Sequence, residues 1–181
     1  MKSNVSGAVL SLVIERPSVG ASVCRRFEAR YGGLLGSGRQ HIYDALSRLV
    51  RDGMLVRVPR ELLAELDEED ARGAITDGYR ATAEGARAYQ RWLADVSLLR
   101  PDSLIGSRQE TLIRLVSTQP HDRTGALLLL DRYEQVILRL IQSTPLEARN
   151  LMDELLADEL TDLAQAELRW IARTRDKLSA A

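Results

Sequence analysis

Residues 37–56 carry the strongest structural signal in the chain, and their sequence is Ser37-Gly-Arg-Gln-His-Ile-Tyr-Asp-Ala-Leu-Ser-Arg-Leu-Val-Arg-Asp-Gly-Met-Leu-Val56. Its apolar residues recur at helical spacing, which predicts an amphipathic helix from Gly38 to Asp52. Ser37 is the predicted N-cap of this helix, and Gly53 is its predicted C-terminal stop. A short β-rich run, 54–58, follows at once, so the segment predicts a helix that leads directly into a strand.

Two further helices are predicted on the N-terminal side of this segment. Apolar spacing indicates the first over residues 4–15, and Pro17 disfavours helix at the residue before it. Ser18 is the predicted N-cap of the second helix, and Gly32-Gly33 is its predicted stop. The segment 38–52 is therefore the third helix of the chain.

A hairpin is predicted on the C-terminal side. The strand 54–58 is followed by a long connection, a returning strand over about 74–81, and a helix with Thr82 as its N-cap. Three helices followed by a hairpin are the order of a winged helix. In helix-turn-helix proteins the later helix enters the major groove of DNA, so the order points to a DNA-binding regulator.

The rest of the chain is predicted to be helical. The segment 100–103, Arg-Pro-Asp-Ser, is the best candidate for a domain boundary. The helices predicted beyond it are 103–118, 122–143 and 146–178. We therefore expect a mainly α protein with two parts, which are a winged helix-turn-helix domain with a two-stranded wing (1–95) and an α-helical dimerisation domain (100–181).

The charge distribution supports a DNA-binding N-terminal half. The 181 residues carry a net charge of −1, but residues 1–95 contain 14 Lys and Arg against 13 Asp and Glu. Six of those acids lie in 61–70, and the half without them has a net charge of +7. Phosphate repulsion would hold this acidic wing tip off DNA, so we expect only the base of the wing, at Arg57, Arg60, Arg72 or Arg80, to approach it.

The inventory of reactive residues argues against an enzyme, a metal site and a cofactor. One cysteine excludes an internal disulfide framework, and Cys24 is predicted to be a buried structural thiol. The two histidines, His41 and His121, have no motif that supplies a nucleophile and an orienting group, and no phosphate-binding glycine loop is present. No run of about 18 apolar residues suggests a membrane span, and we expect a cytoplasmic protein.

The outward face of the third helix and the base of the wing supply the predicted DNA contacts. Arg39 and Gln40, at the end that docks deepest, suit base edges, whereas Arg48 and Arg51 suit phosphates. Tyr43 offers its hydroxyl to a phosphate and its ring to a sugar or a thymine methyl. The predicted contact residues are Ser37, Arg39, Gln40, Tyr43, Ser47, Arg48, Arg51, Arg57 and Arg80.

The same segments resemble the PadR family of bacterial transcriptional regulators. The likeness rests on residues 42–56, on Pro17 and Gly20 after the first helix, and on a later group of motif positions. That later group is Tyr79, Thr82, Gly85 and Arg87. Ala21 and Ala81 stand where the family usually has tyrosine and leucine, and Met54 is an extra residue. The helical tail resembles the longer PadR-like subfamily.

The resemblance implies a ligand-responsive repressor that binds a palindromic operator as a homodimer. The last helix would hold the protomers together through an apolar stripe. The stripe residues are Leu151, Leu155, Leu160, Leu163, Leu168 and Ile171. An aromatic or apolar effector is expected to contact Trp170, Tyr133 and Tyr89, although simple packing of these side chains is the alternative.

A second function class stays open at this stage. A winged helix can serve as a protein-interaction module without contacting DNA, with the acidic wing tip bound to a basic partner. The simpler reading of the tip is a solubilising loop, and the sharper one is that it pairs with a basic surface of its own protomer or of a partner protomer. Salt-dependent DNA binding separates the two functions, because phosphate contacts release counterions.

Overall fold

A computed structural model describes residues 3–59, 63, 78–95, 104–119, 122–143 and 150–180. Several predictions fall outside these residues. They concern Arg60, Arg72, the acidic segment 61–70 apart from Leu63, the starts of the returning strand and of the last helix, His121, and the boundary 100–103.

The N-terminal part is a winged helix. Its elements are α1 (Asn4–Glu15), β1 (Ser18–Val19), α2 (Gly20–Leu35), α3 (Arg39–Arg51), β2 (Leu55–Val58), β3 (Gly78–Ala81) and α4 (Ala83–Ala94). The three strands form one antiparallel sheet in the order β1-β3-β2. The predicted first helix and the predicted order of helix, strand and hairpin are confirmed.

The two strands of the predicted wing, β2 and β3, pair as expected, and β1 adds a third strand to the sheet that the sequence did not predict. Ser18 pairs with Tyr79, and Val19 pairs with Gly78. Ser18 was expected to cap α2, but its hydroxyl donates to the Arg16 carbonyl at 2.9 Å, and Val19 stands at the N-cap. A two-residue strand has no visible periodicity, and its pairing partner lies 60 residues away.

The predicted stop of α2 at Gly32-Gly33 is wrong. Both glycines lie inside the helix, which continues to Leu35 and ends at Gly36. Gly36 has a φ of 44°, and its backbone N–H donates to the Gly32 carbonyl. The left-handed conformation that ends the helix is therefore adopted by Gly36, the next glycine along the chain.

The two ends of α3 differ in how well the sequence predicts them. The predicted N-cap Ser37 is wrong, since Gly38 holds that position and the Ser37 hydroxyl donates to the Leu35 carbonyl at 2.9 Å. The predicted stop at Gly53 is confirmed, with φ 72°. The Gly53 N–H donates to Val50 and the Met54 N–H to Leu49, which is the Schellman pattern.

The start of α4 closes the root of the wing. Thr82 caps the helix as predicted, because its Oγ1 accepts from the Gly85 N–H at 3.0 Å. The same hydroxyl donates to the Gly53 carbonyl at 2.8 Å, and the Thr82 N–H donates to Met54. The turn after α3 is thereby joined to the first turn of α4.

The core of this unit surrounds α1. The central residues Ala8, Val9, Leu10 and Leu12 are fully buried. A buried polar chain crosses the same region: the Tyr31 hydroxyl lies 2.8 Å from Ser11 Oγ and 3.0 Å from Ser117 Oγ. The Tyr89 hydroxyl donates to the Ser117 carbonyl at 2.7 Å, so the buried hydroxyls are satisfied.

The chain divides into two compact units. The first consists of Met1–Asp95 with Val116–Gln119, and the second of Val96–Leu115 with Pro120–Ala181. The C-terminal helices are α5 (Leu104–Ser117), α6 (Arg123–Ser143) and α7 (Leu151–Ala180). The end of α5, which the sequence assigned with the other C-terminal helices, therefore belongs with the winged helix.

The second unit is built on the packing of α6 against α7. One cluster of buried apolar residues in this unit consists of Leu104, Leu130, Tyr133, Ile137, Ala164 and Ile171. At the surface, the Arg175 guanidinium binds Glu134 at 2.7 Å and Asp131 at 2.5 Å, which fixes the register of the two helices. Among the described residues, no helix is both long enough and apolar enough to cross a membrane.

Candidate nucleic-acid interface

Helix α3 presents one buried face and one exposed face. Ile42, Ala45, Leu46 and Leu49 are buried against the core of the first unit. Every predicted DNA-contact residue of the helix is exposed. These residues are Arg39, Gln40, Tyr43, Ser47, Arg48 and Arg51. Their spacing spreads them over the outward half of the helix from its first turn to its last, which is the distribution that a groove-reading helix needs.

The polar side chains on this face differ in whether they form hydrogen bonds or salt bridges within the protein. Gln40 Nε2 donates to Asp44 Oδ1 at 3.0 Å, and Arg51 Nε donates to Asp52 Oδ1 at 3.4 Å. Arg39 and Arg48 take part in none of the salt bridges found among the described residues. Two guanidinium groups are therefore open to an anionic partner, and Gln40 must leave Asp44 to reach a base.

Tyr43 lies on α3 next to the start of α2. It is 41% exposed, and its ring packs on Gly20 at the start of α2. Partial burial, followed by the contacts with Cys24 and with the nearby Tyr79, raises the pKa of Tyr43, so the phenol is neutral.

The wing brings one of its two predicted arginines towards this junction. Arg57 pairs with Tyr79, and Val56 pairs with Arg80. Directly paired residues share a face of an antiparallel sheet and successive residues alternate, so Arg57 and Arg80 project from opposite faces. Arg57 shares its face with Tyr79, the strand residue that interacts with Tyr43. Both arginines are exposed.

The two predicted serines occupy different environments. Ser47 is exposed in the middle of the outer face. Ser37 is half-buried, and its hydroxyl hydrogen is used by the Leu35 carbonyl. Phosphate oxygens only accept hydrogen bonds, so Ser37 would have to break this contact before it could bind a phosphate.

The predicted dimerisation stripe divides between two environments along α7. Leu151 and Leu155 are 67% and 52% exposed, and Leu163 is also exposed. Leu160 and Leu168 are half-buried, whereas Ile171 is fully buried in the core of its own unit. The N-terminal half of α7 therefore carries a solvent-exposed apolar surface, to which Met152 and Leu156 also belong.

The predicted effector residues fall in both units. Tyr133 and Trp170 meet edge to face in the second unit, with ring centroids 6.4 Å apart. The Tyr133 hydroxyl donates to the buried Glu167 carboxylate at 3.2 Å, and burial followed by this charge raises the pKa of Tyr133. Glu167 also pairs with Arg108, whose guanidinium lies 5.4 Å from the Trp170 ring centroid. Tyr89 is buried in the first unit.

Three residues near these side chains were not predicted to take part in the site. Cys24 is buried, as predicted, but its effect on the pKa of Tyr43 was not foreseen. Arg108 and Glu167 were not singled out because each lies in an ordinary amphipathic pattern, and their pairing spans 59 residues. The described part of the chain holds no group of three or more His, Cys, Asp or Glu residues that could bind a metal ion.

Comparison with known proteins adds a structural likeness. No protein-family model matches the chain, and none of the curated proteins matches it either. Among solved structures, the crystal structure of Bacillus subtilis PadR in complex with operator DNA is similar over 100% of this chain and 99% of that one. The two share 15% sequence identity, with a TM-score of 0.45.

Proposed function

We propose that this protein is a DNA-binding transcriptional regulator of the PadR type. The observation that carries the proposal is the outer face of α3, the second helix of the helix-turn-helix, which exposes three arginines, a glutamine, a serine and a tyrosine. Arginine and glutamine are the side chains that read guanine and adenine edges in the major groove. We expect the protein to act in the cytoplasm.

The two ends of α3 are proposed to contact different parts of the DNA, which are base edges at its start and phosphates towards its end. Arg39 and Gln40 lie in the first turn, the end that enters the groove in helix-turn-helix proteins, and would contact base edges. Arg48 and Arg51 lie two to three turns further on and would contact phosphates, together with Ser47, which precedes Arg48. A bidentate contact of Arg39 with guanine would contribute about 1–3 kcal/mol of discrimination.

The wing contributes through Arg57 more than through Arg80. Arg57 shares a sheet face with Tyr79, next to the outer face of α3, whereas Arg80 projects from the opposite face. A phosphate beside α3 would therefore lie on the side of the sheet from which Arg57 projects. Arg80 would contact DNA only if the duplex also passed the other face of the wing.

A homodimer on a palindromic operator follows from the need for two recognition helices. One α3 buries too little surface for a specific site, and two half-sites on a rigid dimer supply the missing contacts. The exposed apolar surface of α7, formed by Leu151, Met152, Leu155, Leu156 and Leu163, is the proposed dimer contact. Ile171 would support it from the protomer core.

Repression with release by a small molecule is the proposed mode of regulation. Trp170 and Tyr133 offer an aromatic pair in the helical unit, with the Arg108 guanidinium over the indole. An apolar or aromatic effector would bind there by stacking on Trp170. Tyr89 is buried in the other unit and is left out of this proposed site.

Selection of DNA tests the proposed function. The wild-type chain should enrich a two-fold symmetric sequence from a random-sequence duplex pool. Its affinity for that sequence should fall linearly on a logarithmic plot against salt concentration. Absence of any salt-dependent DNA binding would contradict the proposal and leave the protein-interaction module as the function.

A further inference from the structure

Helix α3 carries a carboxylate in the middle of its outer face. Gln40, Asp44, Ser47 and Arg51 follow one another at intervals of four, three and four residues, which places them along one line of the helix. All four are exposed, and the buried residues of α3 lie on the opposite side of the helix. Asp44 is therefore an acidic residue on the line of α3 that would face a DNA groove.

The Asp44 carboxylate is held by a neighbour that the proposed DNA contact would remove. Gln40 Nε2 donates to Asp44 Oδ1 at 3.0 Å. Arg48 lies one turn further along α3, but Asp44 takes part in none of the salt bridges found among the described residues. When Gln40 turns to a base, the carboxylate loses this hydrogen-bond donor while it keeps its charge.

The major groove offers a carboxylate few groups that can donate a hydrogen bond. Guanine presents N7 and O6 and thymine presents O4, all of which are acceptors. Cytosine N4 is a donor, and aspartate and glutamate are the side chains that accept from it. A carboxylate that leaves water without gaining a donor is costly, so a carboxylate at this position favours a cytosine opposite it.

We propose that Asp44 is a specificity-determining residue whose carboxylate accepts a hydrogen bond from the N4 amino group of a cytosine. The inference rests on the proposed DNA-binding function and adds a base-reading residue to the same surface. Asp44 lies ~6 Å from Gln40 along the helix axis, at about 1.5 Å per residue, whereas neighbouring base pairs are about 3.4 Å apart. The two side chains should therefore read different base pairs.

Substitution of the DNA one base pair at a time tests this assignment. The probe is a duplex recovered by the wild-type chain from a random-sequence pool, with each base pair changed in turn to the other three. At one C·G pair in each half-site, a change to T·A replaces the amino group by an acceptor. It should weaken wild-type binding by about 5- to 150-fold, the usual cost of one mismatched base pair.

Two variants at position 44 should change the preference at that base pair and at no other. Asp44→Ala should bind the C·G and T·A duplexes with similar Kd. Asp44→Asn should shift the preference towards adenine, because a side-chain amide pairs with adenine N6 and N7. Asp52→Ala is the matched control, since Asp52 is an exposed acid at the C-terminal end of α3. It removes the same charge and should leave every base preference unchanged.

Each preference is a ratio of Kd values for one protein, so a uniform loss of folded protein cancels from it. Unchanged base preferences in Asp44→Ala, or the same change in Asp52→Ala, would overturn the inference. Loss of preference at one and the same base pair in Gln40→Ala and Asp44→Ala would show that Asp44 acts only through Gln40, which also overturns it. A wild-type chain that recovers no duplex contradicts the proposed function itself, whereas a recovered duplex with unaltered Asp44→Ala preferences contradicts this inference alone.

Discussion

Gly85 occupies a position at which the first turn of α4 touches the backbone of the turn after α3. A Cβ atom at this position would lie 2.1 Å from the Met54 carbonyl oxygen. That oxygen already accepts from the Thr82 N–H, so it has little freedom to retreat. The absence of a side chain thus permits the cap that joins the recognition helix to the wing.

Substitution Gly85→Ala should destabilise the first unit by about 1–3 kcal/mol, the usual cost of overpacking a close contact. Gly33→Ala is the matched control, since Gly33 is also helical and a Cβ there would meet no atom within 4 Å. The control should be neutral or stabilise by up to about 1 kcal/mol through helix propensity. Denaturant unfolding measures both, and equal effects would show that the close approach does not matter.

The carboxylate of Glu15 gives a pH-dependent contribution to stability. Hydrogen bonds from Arg30, at 2.5 and 3.0 Å, are the main reason that the pKa of Glu15 is lowered from 4.5, and Arg26 adds to it. A lowered folded-state pKa stabilises the native state above the unfolded-state value, and this is lost as pH falls through the folded value.

Glu15→Gln should therefore be less stable than the wild type at neutral pH, by at most about 1 kcal/mol because the pair lies at the surface. The difference should shrink once the pH falls below 4.5 and vanish in stronger acid. Thermal unfolding of both proteins across this pH range is the measurement. A difference that persists unchanged in acid would show that the ion pair is not its cause.

At the scale of elements, the sequence predicts what local chemistry controls and misses what distant partners control. The limits of α1, the Thr82 cap and the Gly53 stop follow from residues within one or two turns. β1 was missed because Ser18 and Val19 become a strand only by pairing with β3. The outer face of α3 was predictable from helical spacing, but the opposite orientation of Arg57 and Arg80 depends on strand register, which the sequence does not specify.

The strand register of the wing predicts that Arg57 contributes more to DNA binding than Arg80 does. Arg57→Ala should weaken DNA binding and reduce the dependence of log Kd on log salt by about one phosphate contact. Arg80→Ala removes the same charge from the opposite face and is the matched control, with a smaller effect on both quantities. Fluorescence anisotropy with a labelled duplex measures them. A larger effect of Arg80→Ala would place the DNA on the other face of the wing.

The whole molecule combines a winged helix with a helical unit whose longest helix has two roles. The middle and the C-terminal half of α7 complete the core of its own unit through Ala164 and Ile171, whereas the N-terminal half exposes leucines. Deleting the helix would therefore remove core residues together with the proposed dimer contact. Point substitutions in the exposed half separate the two roles.

Leu155→Asp should convert the dimer to a monomer while the helical content is retained, because a carboxylate in an apolar interface has no partner. Leu128→Asp is the matched control, since Leu128 on α6 is 51% exposed, close to the 52% of Leu155. Analytical ultracentrifugation gives the mass of each variant. A dimer that survives Leu155→Asp, or that is lost equally with Leu128→Asp, would contradict an interface centred on α7.

The central claim is that the outer face of α3 binds the phosphates and bases of a DNA duplex. Its most direct test is the salt dependence of binding by Arg48→Ala, compared with the wild type and with Arg173→Ala, which removes an exposed arginine from the helical unit. We predict that Arg48→Ala binds more weakly and lowers the slope of log Kd against log salt by about one per protomer, while Arg173→Ala changes neither. An unchanged slope and affinity for Arg48→Ala would contradict the claim.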